Sequence, residues 1–240
     1  MRRLLTVVFF GLFSTAGNPL LSGGDAAQHP GQVSHTERVN FAPGGTIRFD
    51  HSFGDLYVEG WDRPEVEITV IKSIPKVELG VIQSPSGDCS RLEGVQFTTE
   101  HPSANELAIR TTTGSDGFFR HPFGGKGPVT VRYELRVPSD SRLIIHHGGG
   151  NILVGNVTGG VEATNRNGDI VLMLPSTGLY SIDAKSKMGT VSSDFAGKAH
   201  VRHLIGEGFL GAAGNSPRWI FLRVGFGGIT IKAVPQDALP

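Results

Sequence analysis

Five short strands, each opened by a glycine, recur along the second half of this chain at nearly constant spacing. Gly150-Asn151-Ile152-Leu153-Val154 is followed by Gly168-Asp169-Ile170-Val171-Leu172, Gly189-Thr190-Val191, Gly208-Phe209-Leu210 and Gly228-Ile229-Thr230-Ile231, with starts 18, 21, 19 and 20 residues apart. Second strands lie between them, at residues 161–163, 179–182, 199–201 and 219–224. Each unit therefore reads glycine turn, strand, turn, strand. One such unit cannot bury its apolar face alone, but units stacked about 4.8 Å apart share a continuous core. Glycine at each start permits a positive φ or a close approach of neighbouring backbones. These features predict an all-β fold of the β-solenoid or β-helix-like kind, with repeats of about twenty residues and structural turn glycines at Gly54, Gly150, Gly168, Gly189, Gly208 and Gly228. An antiparallel β-sandwich is the alternative. Asn167-Gly168 is a two-residue hairpin signal, and alternation does not separate parallel from antiparallel pairing.

The rest of the chain agrees with the all-β class. Thr46-Ile47-Arg48-Phe49, Leu56-Tyr57-Val58 and Val66-Glu67-Ile68-Thr69-Val70 alternate apolar and polar, as half-buried strands do. Val129 to Pro138 is the longest alternating run, and outside the N-terminus no dozen residues show helical periodicity. Glycine reaches 34 of 240 residues, well above the usual share of roughly 7% and without a collagen period. The expected organisation is an ordered domain over residues 39–232, split into a first block (39–113), a Gly/Phe-rich insert (114–127) and a repeat block (128–232), with a tail at 233–240. A flexible lead-in occupies 17–38.

Residues 1–16 read as a signal peptide. Arg2 and Arg3 precede an apolar run at 4–13, and Ser14-Thr15-Ala16 places cleavage between Ala16 and Gly17. Ten apolar residues are too few to span a bilayer, which needs roughly 20, so no transmembrane anchor is expected after cleavage. The chain is thus expected to be exported, to the periplasm, cell surface or medium. Lys+Arg and Asp+Glu are both 22, so no net basic field gathers nucleic acid. The single cysteine, Cys89, forms no internal disulfide and reads as a bystander loop thiol.

Chemical motifs are weak. Gly206-Glu207-Gly208-Phe209-Leu210-Gly211 matches a dinucleotide fingerprint, but Ala212-Ala213-Gly214-Asn215-Ser216-Pro217 provides no helix to hold a pyrophosphate, so it reads as a repeat corner. His146-His147 and His200-Val201-Arg202-His203 alternate across strand faces and do not chelate from one face. Asn165-Arg166-Asn167-Gly168-Asp169 is oxygen-rich but continues into Ile170-Val171-Leu172, which lacks the remaining calcium ligands, so its side chains are expected to close turns. Glu162 and Asp183 are one repeat apart and are the only carboxylates the stacking could pair for glycoside chemistry. Phe118, Phe119 and Phe123, in the insert, form either a cap on the core or an interaction loop. No cofactor or metal is expected.

Phe53-Gly54-Asp55-Leu56-Tyr57-Val58-Glu59-Gly60-Trp61, followed by Asp62-Arg63-Pro64-Glu65-Val66-Glu67-Ile68, resembles the opening of the bacterial putative-adhesin domains of unknown function. Tyr133-Glu134-Leu135-Arg136-Val137-Pro138 and Gly148-Gly149-Gly150-Asn151-Ile152-Leu153-Val154 are similar to their second signature. The resemblance implies a secreted or envelope-facing β-helix-like domain and supplies no catalytic residues. The expected function is a non-enzymatic adhesin or surface-binding module whose partner is a glycan, a cell-surface protein or an envelope protein. An accessory role in envelope stress signalling is the alternative, and a polysaccharide-cleaving enzyme is the third reading.

Overall fold

The computed structural model describes residues 32–73, 95–113, 130–202, 205–211, 216 and 218–235. The signal segment with Ala16 and Gly17, Cys89, His203 and the loop phenylalanines 118, 119 and 123 lie outside the described residues. Within them the chain forms strands only: β1(Gln32–Asn40), β2(Thr46–Phe53), β3(Asp55–Trp61), β4(Glu65–Ser73), β5(Val95–Ser103), β6(Glu106–Thr113), β7(Thr130–Pro138), β8(Arg142–Gly149), β9(Ile152–Gly155), β10(Val161–Asn167), β11(Ile170–Pro175), β12(Ser181–Met188), β13(Val191–Ser193), β14(Lys198–Arg202), β15(Gly206–Gly211), β16(Trp219–Phe226) and β17(Ile229–Val234). β1 begins at Gln32, so residues 32–38 of the expected lead-in are sheet, and β17 runs two residues past the expected domain end at 232.

The strands make two mixed sheets. One has eight strands in the order β1-β4-β7-β3-β9-β11-β17-β13, and the other nine in the order β14-β15-β12-β16-β10-β8-β2-β6-β5. Pairing is parallel through the centre of both and antiparallel at the margins, at β1/β4/β7, β5/β6 and β12/β15/β14. Alternating burial along β7, β10 and β16 turns every second side chain into one shared core. Phe49 of one sheet meets Tyr133 of the other edge-on at 5.3 Å. Parallel neighbours normally need a long crossover. Here the chain crosses from one sheet to the other at a glycine turn between β8 and β9, returns before β10 and crosses again between β10 and β11, so a single strand of the opposite sheet with its turns serves as the crossover between parallel neighbours.

The expected coil stacked in chain order does not form. The strand pair β16–β17 lies between β10–β11 and β12–β13 in both sheets. β15, which contains Gly208, is an antiparallel strand against β12 and β14, so the Gly206–Gly211 motif is not a repeat corner. Two facing sheets around one core match the sandwich alternative in layering, while their central pairing is parallel.

The turns between sheets share one construction. Gly54, Gly150, Gly168, Gly227 and Gly189 have φ of 113°, 117°, 117°, 135° and 148° and lie one above another in that order. A Cβ on Gly168 would fall well inside contact distance of the Gly150 carbonyl, and one on Gly227 would meet the Gly168 carbonyl likewise. Gly150 N donates to Asn167 O at 2.9 Å and Gly168 N to Phe226 O at 2.8 Å, which continues the ladder through the turn. Glycine is therefore required twice over, by φ and by the closeness of the next backbone. The positive φ falls on Gly227 and not on Gly228.

Candidate functional site

Two polar columns flank the glycines, and both are occupied by scaffolding. On the inner side, three residues before a column glycine, stand His147, Asn165 and Ser186, all buried. His147 Nε2 lies 2.8 Å from Gly54 O, Asn165 Nδ2 donates to Gly150 O at 2.8 Å, and Ser186 Oγ donates to Gly227 O at 2.7 Å. A peptide turned inward by a positive φ presents a carbonyl to the core, where an unpaired acceptor is costly, and these side chains satisfy it. Val224 takes the equivalent register position on β16. Burial pushes the His147 imidazole below its usual pKa, against opposing contributions from its hydrogen bonds at Gly54 and Gly149 and from the nearby Asp55 carboxylate. On the outer side, Asp55 Oδ1 accepts Asn151 N at 3.0 Å, Asn151 Oδ1 accepts Asp169 N at 3.1 Å and Asp169 Oδ1 accepts Gly228 N at 2.7 Å.

This geometry disposes of the oxygen-rich motif. Asn165 and Asp169 are engaged with backbone groups of adjoining strand pairs, and Asn167 N donates to Asn165 Oδ1 at 3.3 Å. The two neighbouring histidines part company: His146 Nδ1 faces Asp50 Oδ1 at 2.7 Å on the outside, while His147 points inward. Among the described residues no three His, Cys, Asp or Glu side chains gather to hold a metal.

The outer face of the nine-stranded sheet carries aromatic, cationic and acidic side chains in register across three strands. Trp219, Phe221, Arg223 and Gly225 alternate outward along β16. Register places Phe221 between Asp183 of β12 and Glu162 of β10, and Arg223 between Lys185 and Thr164. The same register carries Gly225 between Lys187 and Arg166. The two carboxylates predicted as a possible pair are thus two strands apart, a backbone separation of about 9–10 Å, with an aromatic ring between them.

Each carboxylate has its own cation. Glu162 lies 3.7 Å from the exposed Arg142, while Asp183 Oδ2 accepts Arg223 Nη2 at 2.7 Å and Asp183 Oδ1 is 3.0 Å from Lys185 Nζ. Arg223 also donates to Asp183 O at 2.8 Å, and its guanidinium stacks 3.7 Å from the Phe221 centroid. Partial burial raises the Asp183 pKa, but hydrogen bonds from Arg223 and Lys185 and the charges of both outweigh it, so the carboxyl sits below its usual range. A glycosidase acid needs the opposite shift. Trp219 stays 64% exposed at the end of the row, a large apolar ring left to solvent.

The column glycines and the Glu162–Asp183 row follow from repeat spacing. The inward column does carry a sequence signal, a polar residue three positions before the glycine at His147, Asn165 and Ser186. The grouping of Arg166, Lys185, Lys187 and Arg223 carries none, because it depends on β16 entering between β10 and β12.

No family model matches the chain, and no curated protein matches it. Solved structures do. A putative cell adhesion protein from Clostridium sporogenes matches at 12% identity, over 84% of this chain and 100% of that one, with a TM-score of 0.47. A putative adhesin from Bacteroides fragilis matches at 9% identity over 85% and 99%, with a TM-score of 0.27. A putative lipid binding protein from Parabacteroides distasonis matches at 10% identity over 67% and 64%, with a TM-score of 0.23.

Proposed function

We propose that the chain is an exported, non-enzymatic β module of the adhesin kind, which binds a surface ligand through the outer face of its nine-stranded sheet. One observation carries this reading: Trp219, Phe221, Arg223 and their in-register neighbours stand on three parallel strands whose inner faces are locked in a common core. Such a lattice holds aromatic, cationic and acidic groups at fixed spacing over an open surface, which suits recognition of an extended ligand. Asp183 is held ionised and tied to Arg223 and Lys185, so it serves the shape of that surface and not proton transfer. Export is supported by Arg2, Arg3 and the apolar residues 4–13. Among the described residues no helix is long and apolar enough to cross a membrane. In architecture we read the stacked glycines as a β-helix-like coil with one transposed turn, closed by antiparallel margins.

Saturable binding of labelled mature chain to whole cells, extracellular matrix or immobilised glycans tests the function. A folded chain that binds none of the three refutes it. N-terminal sequencing of the exported protein checks the processing step, with Gly17 as the expected first residue.

A further inference from the structure

The cations of the sheet face are unevenly matched by carboxylates. Arg223 and Lys185 share Asp183, while Arg166 and Lys187 are exposed and have no carboxylate partner among the described residues. These two stand on either side of Gly225, which has no side chain to separate them. Thr164, Arg166, Lys185, Lys187, Arg223 and Gly225 border an open depression that also reaches His147, Asn165, Ser186 and Val224 at the strand ends, about 480 Å³ in all. Counting Arg166, Lys187, Arg223 and Lys185 against Asp183 leaves three positive charges in a chain of formal net charge zero. Gly225 is not replaceable here, because a Cβ would collide with the Arg166 carbonyl, so close strand packing itself forms the floor of the notch.

We propose that this notch takes the acidic group of an anionic polysaccharide, whose neutral neighbouring sugars lie along β16 toward Phe221 and Trp219. The charge pattern along the strand selects this ligand class. Four residues from Gly225, about 13 Å along a strand, the free positive charge runs out: Asp183 and Glu162 stand on either side of Phe221, and the cations nearest them, Arg223, Lys185 and Arg142, are already paired with them. A nucleic acid strand carries a phosphate on every nucleotide and would bring one to this stretch, where no unpaired cation is left to receive it. A glycan whose acidic sugars alternate with neutral ones brings hydroxyl donors there instead, and an exposed indole offers its sugar rings an apolar face. Thr164 adds a hydroxyl at the edge of the notch. The proposal rests on the surface-binding reading and names the ligand class of that same face.

The test titrates the mature chain with hyaluronan oligosaccharides, which carry one carboxylate on every second sugar, beside neutral dextran, single-stranded DNA and vesicles of phosphatidylcholine with phosphatidylglycerol. The expected result is saturable hyaluronan binding that weakens with salt, with no comparable binding of the other three. Arg166→Gln combined with Lys187→Gln should weaken it by at least about tenfold, since two charge-assisted contacts are lost. Lys232→Gln, on the other sheet, should leave it unchanged. Absence of hyaluronan binding, equal binding of dextran, tighter binding of DNA or vesicles, or an undiminished double variant each overturns the notch. The double variant replaces exposed side chains, and an unchanged unfolding midpoint confirms that it folds. Saturable binding to cells that survives the double substitution leaves the surface module standing and removes only this ligand.

Discussion

Replacing Gly168 by alanine isolates the physics of the glycine column. At φ of 117° the backbone is in a region essentially reserved for glycine, which costs a side-chain-bearing residue about 1–3 kcal/mol. The new Cβ also collides with the Gly150 carbonyl, so the two strand pairs must separate locally. Separation threatens two hydrogen bonds, Asn165 Nδ2 to Gly150 O at 2.8 Å and Gly150 N to Asn167 O at 2.9 Å. At about 1 kcal/mol each, they bring the expected loss to about 3–5 kcal/mol. Gly44 supplies the control. It too has a positive φ, of 75°, but a Cβ there meets nothing nearer than Asp140 Oδ2 at 3.8 Å. Gly44→Ala should therefore cost only the left-handed backbone term, about 1–2 kcal/mol. Urea unfolding of both variants, compared through midpoint and slope, reads the difference. If Gly168→Ala is no more destabilising than Gly44→Ala, close packing of stacked turns does not govern this fold.

Three other outcomes are expected. Because the buried His147 has a lowered pKa, the unfolded chain takes up a proton there first as pH falls through 6.5; stability present above that pH declines below it, and His147→Asn, which keeps a carbonyl-capping amide, should flatten the decline in unfolding midpoints measured between pH 7.5 and pH 5. Asn165→Ala removes the donor to the Gly150 carbonyl inside the core and should cost about 1–3 kcal/mol by the same unfolding measurement, whereas Thr164→Ala on the opposite face should cost less. Deleting residues 219–240 withdraws the buried Ile220, Leu222, Val224, Ile229 and Ile231 from between β10–β11 and β12–β13; the expected product shows no cooperative thermal transition by circular dichroism, and a cooperative one would show that β12–β13 can close directly onto β10–β11.

The inside-outside pattern was legible from particular residues. Val131, Tyr133, Leu135 and Val137 alternate with Arg132, Glu134 and Arg136, and the former are buried while the latter are exposed. Gly54, Gly150, Gly168 and Gly189 do sit where the chain turns between sheets with positive φ. Gly208 shares their local sequence yet lies within β15, because a glycine flanked by strand formers also tolerates a strand. Gly228 misleads by one position: Phe226-Gly227-Gly228 offers two glycines, and the one that must pass the Gly168 carbonyl takes the turn.

Residue order alone determined that this chain makes strands, which side of each strand is apolar, and that glycines without competing side chains mark most of the turns. Those are local properties, set by backbone sterics and by a side-chain period of two. The tertiary structure alone decided which strand pair stacks on which. Several pairs present the same hydrogen-bonding edge and a similar apolar face, so their local sequences do not specify neighbours. Order is settled by the whole stack, in which β14 and β15 extend the far edge of β12 and the last pair enters between two earlier ones. That insertion places Gly225 between Arg166 and Lys187, and with it the basic notch, from residues up to 59 positions apart.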